Sequence, residues 1–196
     1  MVDGKGTMWV VMQDAQGSVT AVDVKTMKAT AHYPFGDIGG CNGLALDAKN
    51  RVLFAACAIS GNPPAQPPKP TMVVLSAVDG KILTTLPLAG GSDGAAFNPA
   101  TMEAFSTHGN GTLTVVKETS PTTFEVEQNL DTMNGARVIT FDSKTNRVLT
   151  MAQEFGAPAA PPAAAPAAPG APPAPARGGG RGAVVPGSFT ILAIGK

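Results

Sequence analysis

The sequence predicts an all-β chain, a β-propeller of about four blades, two complete and two three-stranded. One phrase occurs three times: Gly43-Leu-Ala-Leu-Asp-Ala-Lys-Asn-Arg-Val-Leu-Phe54, Gly94-Ala-Ala-Phe-Asn-Pro-Ala-Thr-Met-Glu-Ala-Phe105 and Val138-Ile-Thr-Phe-Asp-Ser-Lys-Thr-Asn-Arg-Val-Leu149. Its anchors Asp47, Asn98 and Asp142 are 51 and 44 positions apart, a period that suits one four-stranded blade. The segments around each phrase are short, apolar and rich in β-branched residues, and turn residues separate them. No segment reads as a convincing helix. A β-sandwich also uses short strands and frequent turns, but it does not require a phrase recurring at blade spacing.

Each phrase supplies two strands joined by a tight turn. In the first repeat these are about 43–46 and 52–57, followed by 72–77, an Asp79-Gly80 turn and 82–88. The second repeat gives 95–97, 104–107, 112–117 and 124–128. The third gives 138–141 and 148–152, then a long interruption, then 188–194. Ahead of the first phrase, 8–12, 19–24 and 29–33 read as the last three strands of an earlier blade. Asp47, Asn98 and Asp142 head turns, where a short oxygen-bearing side chain holds its own backbone.

Residues 1–196 are expected to form one domain, since 43% are hydrophobic, enough for an ordinary core. Only 14% are charged, the formal net charge is zero and no Lys/Arg cluster occurs, which argues against nucleic acid as a partner. No apolar run approaches the ~18 residues of a membrane span, and no signal peptide is recognisable. Asp3-Gly4-Lys5-Gly6 reads as the turn before a strand, so the chain is expected to begin inside a repeat and to derive from a longer parent. Usual rings have four to eight blades. The blades here could close as a small ring, pair with a second copy as a homodimer that completes the propeller, or belong to a larger one. Two segments interrupt the pattern, the Pro-rich 62–70 and the Ala/Pro/Gly-rich 157–185. They read as flexible inserts, with a Pro-rich docking arm as the alternative.

Strand direction alternates within an antiparallel blade, so the loops from strand two to three and from strand four to the next strand one share an upper face. Both inserts are two-to-three loops. Five residues before each anchor stand Asn42, Asp93 and Arg137, which should ring the upper mouth of the central channel. His108, Glu154 and Asp14 should lie nearby. Carboxylate and amide oxygens suit a hard cation such as Ca²⁺, and a carboxylate beside an imidazole can activate water. The plainer alternatives are that Asp93 pairs with Arg137 without chemistry, and that His108, in His-Gly-Asn-Gly, is an exposed turn residue.

Cys41 and Cys57 flank the first hairpin. Pairing sums near 97 or 98 for its two strands would put them opposite each other, within reach of a disulfide. Two reduced core thiols or a reactive pair remain as alternatives. The cysteine count and spacing argue against zinc.

The first phrase, together with Thr20-Ala-Val-Asp-Val-Lys-Thr-Met-Lys28 and Val74-Leu-Ser-Ala-Val-Asp-Gly-Lys-Ile82, resembles the repeat units of the YVTN-repeat, or YncE-like, β-propeller family. That resemblance covers nearly everything outside the Pro-rich inserts. It implies an exported, periplasmic or secreted protein and a seven-bladed ring, of which the chain would form the C-terminal four-sevenths. The family is similar to the propeller lactonases, whose channel-mouth metal polarises a lactone carbonyl. By that resemblance Asn42, Asp93 and Glu154 would bind Ca²⁺, with Asp93 also activating water. Arg137 departs from the pattern, and it or His108 would polarise the substrate. The implied function is hydrolysis of a small lactone. The competing expectation is a non-catalytic exported scaffold that binds a protein or peptide across the same face.

Overall fold

In the computed structural model, residues 1–14, 16–36, 38–57, 69–157 and 182–195 are described. Among them are fourteen strands and no helix. Most of the two Pro-rich segments, and the expectations attached to them, lie outside the described residues.

The strands form four antiparallel sheets in simple sequence order. The first blade contains β1 (Thr7–Met12), β2 (Ser18–Asp23) and β3 (Lys28–Pro34). The second contains β4 (Cys41–Asp47), β5 (Val52–Cys57), β6 (Thr71–Ser76) and β7 (Ile82–Pro87). The third contains β8 (Ser92–Asn98), β9 (Glu103–His108), β10 (Thr112–Ser120) and β11 (Thr123–Asp131). The fourth contains β12 (Val138–Asp142), β13 (Arg147–Ala152) and β14 (Thr190–Ile194). This is a partial β-propeller with the expected two complete and two three-stranded blades. The first strands β4, β8 and β12 lie side by side, as the inner strands of neighbouring blades do.

Blades cohere face to face, because alternate residues of a strand point to opposite sides of its sheet. One side of the first blade (Trp9, Val19, Ala21) packs on Leu53, Ala55, Val73 and Leu75 of the second. The second blade's other side (Val52, Phe54, Met72, Val74) packs on Phe97, Ala104, Val116 and Phe124 of the third. There Phe54 stacks on Phe97 at 5.4 Å and meets Phe124 edge-on at 5.8 Å. The third blade's other side (Phe105, Leu113, Val115) packs on Ile139, Phe141, Val148 and Ile194. Gly43 and Gly94 let the inner strands approach. A Cβ on Gly43 would lie 2.7 Å from the Gly94 backbone, and one on Gly94 would lie 2.8 Å from Ile139.

The three anchors do one job. Asp47, Asn98 and Asp142 each accept a hydrogen bond from the amide two residues on, at 2.8, 2.9 and 3.0 Å. Four residues past each anchor the backbone turns left-handed, at Arg51, Met102 and Asn146 (φ 58°, 56° and 57°). Asp23 heads a similar turn, with Met27 at φ 55°. Asn146 alone of these is a residue type that visits this region readily.

Cys41 and Cys57 form a disulfide, though by a route the strand arithmetic did not foresee. Most pairs of the β4–β5 ladder sum to 99, as in Gly43↔Ala56, a register one residue off from a Cys41–Cys57 match. A β-bulge between Cys41 and Gly43 takes up that residue and sets Cys41 opposite Cys57.

Candidate functional site

The residue left over at that bulge is Asn42. The third blade repeats the arrangement, where a register shift between Ser92 and Gly94 leaves Asp93 unpaired. Bulges turn a side chain out of the ladder and are frequent beside functional sites. Arg137 holds the same repeat position one residue before β12. The sequence therefore places a freed side chain at the upper end of three inner strands in succession.

These three residues share one open depression of about 330 Å³ with Gly91, Ser92, Gly109 and Asn110. Arg137 Nη1 donates to Asp93 Oδ1 at 3.1 Å. The pair lies across Gly109, where a Cβ would come within 2.7 Å of the guanidinium and 3.1 Å of Asp93 Oδ2. Thr107 Oγ1 holds the Arg137 carbonyl at 2.5 Å, and Asn42 Nδ2 donates to the Ser92 carbonyl at 3.0 Å. Arg137 and Gly109 also border an adjoining depression of about 540 Å³, lined by Met133, Asn134, Gln153, Glu154 and Phe155. A third depression, about 320 Å³ and lined by Phe105, Val115, Leu130 and Ile194, opens in the seam between the third and fourth blades near the anchor turns.

The structure thus brings together Asn42, Asp93 and Arg137. Glu154 stands in the adjoining depression instead, and Asp14 caps its own turn through Gly17 and Ser18. The donor set Asn42, Asp93 and Glu154 does not fit a cation. Asp93 is already bonded to a guanidinium, and Arg137 borders both depressions, so a cation placed among the three would meet its charge. Among the described residues no three of His, Cys, Asp or Glu gather into a cluster.

His108 is neither exposed nor at the mouth. It ends β9 fully buried. Its Nε2 lies 3.0 Å from Thr114 Oγ1, which also accepts from the Ala89 amide and donates to Asn129 Oδ1 at 2.7 Å. That network assigns the ring proton to Nε2. Nδ1 is buried without a hydrogen-bond partner. Burial pushes the imidazole pKa down to about 4, against the opposing pull of the Gly91 backbone and the Asp93 charge. The ring is neutral near pH 7 and out of reach of a substrate. Its place explains it: Ser92 faces His108 just as Cys41 faces Cys57 beside the first bulge.

Glu118 was not singled out by the sequence reading. It follows β10 residues that pack on the second blade, and it stands where that blade has Ala77: the Ala77 amide donates to the Arg51 carbonyl and the Glu118 amide to the Met102 carbonyl. Only 3% of Glu118 is exposed. Asn50 Nδ2 donates to its Oε1 at 2.7 Å, while its Oε2 and Asp47 Oδ2 are buried without partners. Burial, with help from the Asp47 charge, raises the Glu118 pKa to about 7 against the opposing Asn50 bond. The only sequence signal was one acidic residue at the end of an apolar strand.

No family model matches the chain, and no curated protein matches it. Solved structures do. Hydrazine synthase of Kuenenia stuttgartiensis aligns with TM-score 0.62 at 14% identity, over 81% of this chain and 42% of that one. The Cps50 (Swd1) β-propeller domain of Myceliophteria thermophila aligns with TM-score 0.50 at 14% identity, over 75% and 49%. The dihydro-heme d1 dehydrogenase NirN, in complex with DHE, aligns with TM-score 0.56 at 13% identity, over 76% and 31%. The chain spans less than half the length of these structures. The likeness is one of propeller fold.

Proposed function

We propose that the upper face binds a small molecule through an ester or carboxylate oxygen, and that the protein hydrolyses a small lactone there without a bound cation. The observation that carries this reading is the Asp93–Arg137 pair, held over Gly109 in an open depression. Arg137 spends one N–H on Asp93 and keeps others to donate to a carbonyl oxygen, stabilising the negative charge that develops there. Asp93 Oδ2 accepts a proton from water as the water oxygen bonds the carbonyl carbon. The ring C–O bond then breaks, and the departing alkoxide takes the proton from Asp93, which regenerates the carboxylate. The Cys41–Cys57 disulfide supports an oxidising compartment, periplasmic or secreted.

The second reading, a non-catalytic scaffold, is favoured by the burial of His108, which leaves Asp93 without a partner imidazole. Turnover of a lactone panel separates the two. Hydrolysis that falls about 100-fold or more in both Asp93→Asn and Arg137→Met, and that is indifferent to chelator, supports the enzyme. Full turnover in Asp93→Asn refutes this site, and no turnover of any lactone leaves the scaffold reading.

A further inference from the structure

At the anchor-turn end of the blades, the seam between the second and third shows how the fold holds a carboxylate. Asn50, the residue before Arg51, donates across that seam to Glu118 Oε1 at 2.7 Å. The seam between the first and second blades repeats the frame without the acid. The Val24 amide donates to the Gly6 carbonyl as the Ala77 amide donates to the Arg51 carbonyl. Lys5 therefore holds the place of Asn50, in a turn one residue shorter, and Ala77 holds the place of Glu118. A depression of about 260 Å³ lies there, with Asp3, Lys5, Thr7, Trp9, Arg51 and Ala77 in its wall. Its first-blade side is a closed hairpin, in which Met1 is bonded to Trp9 and Asp3 to Thr7. The wall is rich in donors and poor in acceptors. Lys5 and Arg51 belong to neither of the two ion pairs among the described residues. Trp9 is 5% exposed, and its Nε1–H, which can only donate, is buried without an acceptor. A buried indole N–H usually has a partner, and leaving it unpaired is costly. Asp3 is the one carboxylate in the wall, and its Oδ1 is taken by the amides of Lys5 and Thr7.

We infer that this depression binds a small organic carboxylate, which enters the place that Glu118 fills in the next seam. Lys5 donates to the bound carboxylate as Asn50 donates to Glu118, with a charge added. The Arg51 fork and the Trp9 N–H supply further donors. Glu118 is the argument for a carboxylate over other anions, because the same frame already holds one. The site lies at the opposite end of the inner strands from Asp93 and Arg137, so it is separate from the upper face.

Trp9 is the only tryptophan of the chain, so its emission reports on the site directly. The whole chain is titrated with sodium acetate and with sodium succinate, with sodium chloride holding the ionic strength constant, and calorimetry follows the same titrations. A saturable change in Trp9 emission, with binding heat, is expected. Lys5→Met and Arg51→Met should each weaken binding about tenfold or more. Both residues are exposed, and the third blade already carries Met102 at the position of Arg51, so these variants should fold. Ala77→Glu supplies the carboxylate from within and should abolish the response. Arg137→Met, on the upper face, should leave it unchanged. Absence of both an emission change and binding heat overturns the inference. So does a response that chloride reproduces, that inorganic phosphate exceeds, that survives Lys5→Met and Arg51→Met, or that Arg137→Met removes. A folded Ala77→Glu protein that still responds also overturns it.

Discussion

Replacing Glu118 by Gln should change how stability depends on pH and expose a compensation hidden in the wild type. Glu118 is 3% exposed and its pKa is raised from 4.5 to about 7, chiefly by burial. A carboxyl that binds its proton more tightly when folded favours folding at low pH. That advantage declines as pH rises from about 4.5 and is gone above about 7. At about 1.4 kcal/mol per pH unit, the charged form costs the fold about 3 kcal/mol. His108 acts in the opposite sense. Its pKa is lowered from 6.5 to about 4 by burial, so its contribution is complete above pH 6.5 and is lost as pH falls toward 4. The two slopes have similar size and opposite sign, and the wild type should be nearly flat between about pH 4.5 and 6.5. In Glu118→Gln the amide keeps the Asn50 bond and can donate to Asp47 Oδ2. The variant should be more stable than wild type by about 3 kcal/mol at pH 7.5, or roughly 6–12 °C in Tm. It should also acquire the acid loss that His108 alone dictates. Thermal melts of both proteins at half-unit steps from pH 4 to 8 provide the assay. Parallel profiles, or equal Tm at pH 7.5, would refute the buried-carboxyl account.

Two further perturbations probe local strain and cross-linking. Cys41→Ser with Cys57→Ser, or added reductant, should lower stability by about 3 kcal/mol for a bridge spanning 16 residues, measured by denaturant unfolding. Met27→Asn should raise it by about 0.5–1 kcal/mol, since Met27 is 68% exposed and sits at φ 55°, a backbone region asparagine visits readily; a fall in Tm would show that the Met27 side chain stabilises the turn.

The architecture was legible because the anchors recur with their turns, and Asp47, Asn98 and Asp142 fix the same hairpin in three blades. Strand limits followed to within a few residues, as with β12 and β13. Stepping back five positions found Asn42, Asp93 and Arg137 because a repeat carries position as well as pattern. The sequence left open whether Asp93 pairs with Arg137, and the structure has that pair at 3.1 Å. His108 reads as a turn residue from His-Gly-Asn-Gly and as a catalytic one from its expected place near the mouth, yet it stands ten positions past Asn98 as Cys57 stands ten past Asp47; that β9 runs on to bury it is what the glycines obscure. Glu118 escaped because it lies outside the phrase and acts on Asn50 and Asp47 across a seam, a proximity that composition and periodicity do not encode.

The bulges that free Asn42 and Asp93 are fastened differently. Beside Asn42 the clamp is the Cys41–Cys57 bond. Beside Asp93 it is the facing pair Ser92 and His108, with Ser92 also accepting from Ser106 and His108 tied to Thr114. Ahead of Arg137 the neighbouring residues are small and apolar, Ala136 and Ala152, both buried. One rim therefore has three mechanically distinct anchors. A reducing milieu loosens the first, acid loosens the second by charging the imidazole, and the third answers to neither. Asn42 and Asp93 can thus each be released by a different chemical condition, while Arg137 keeps its post under both.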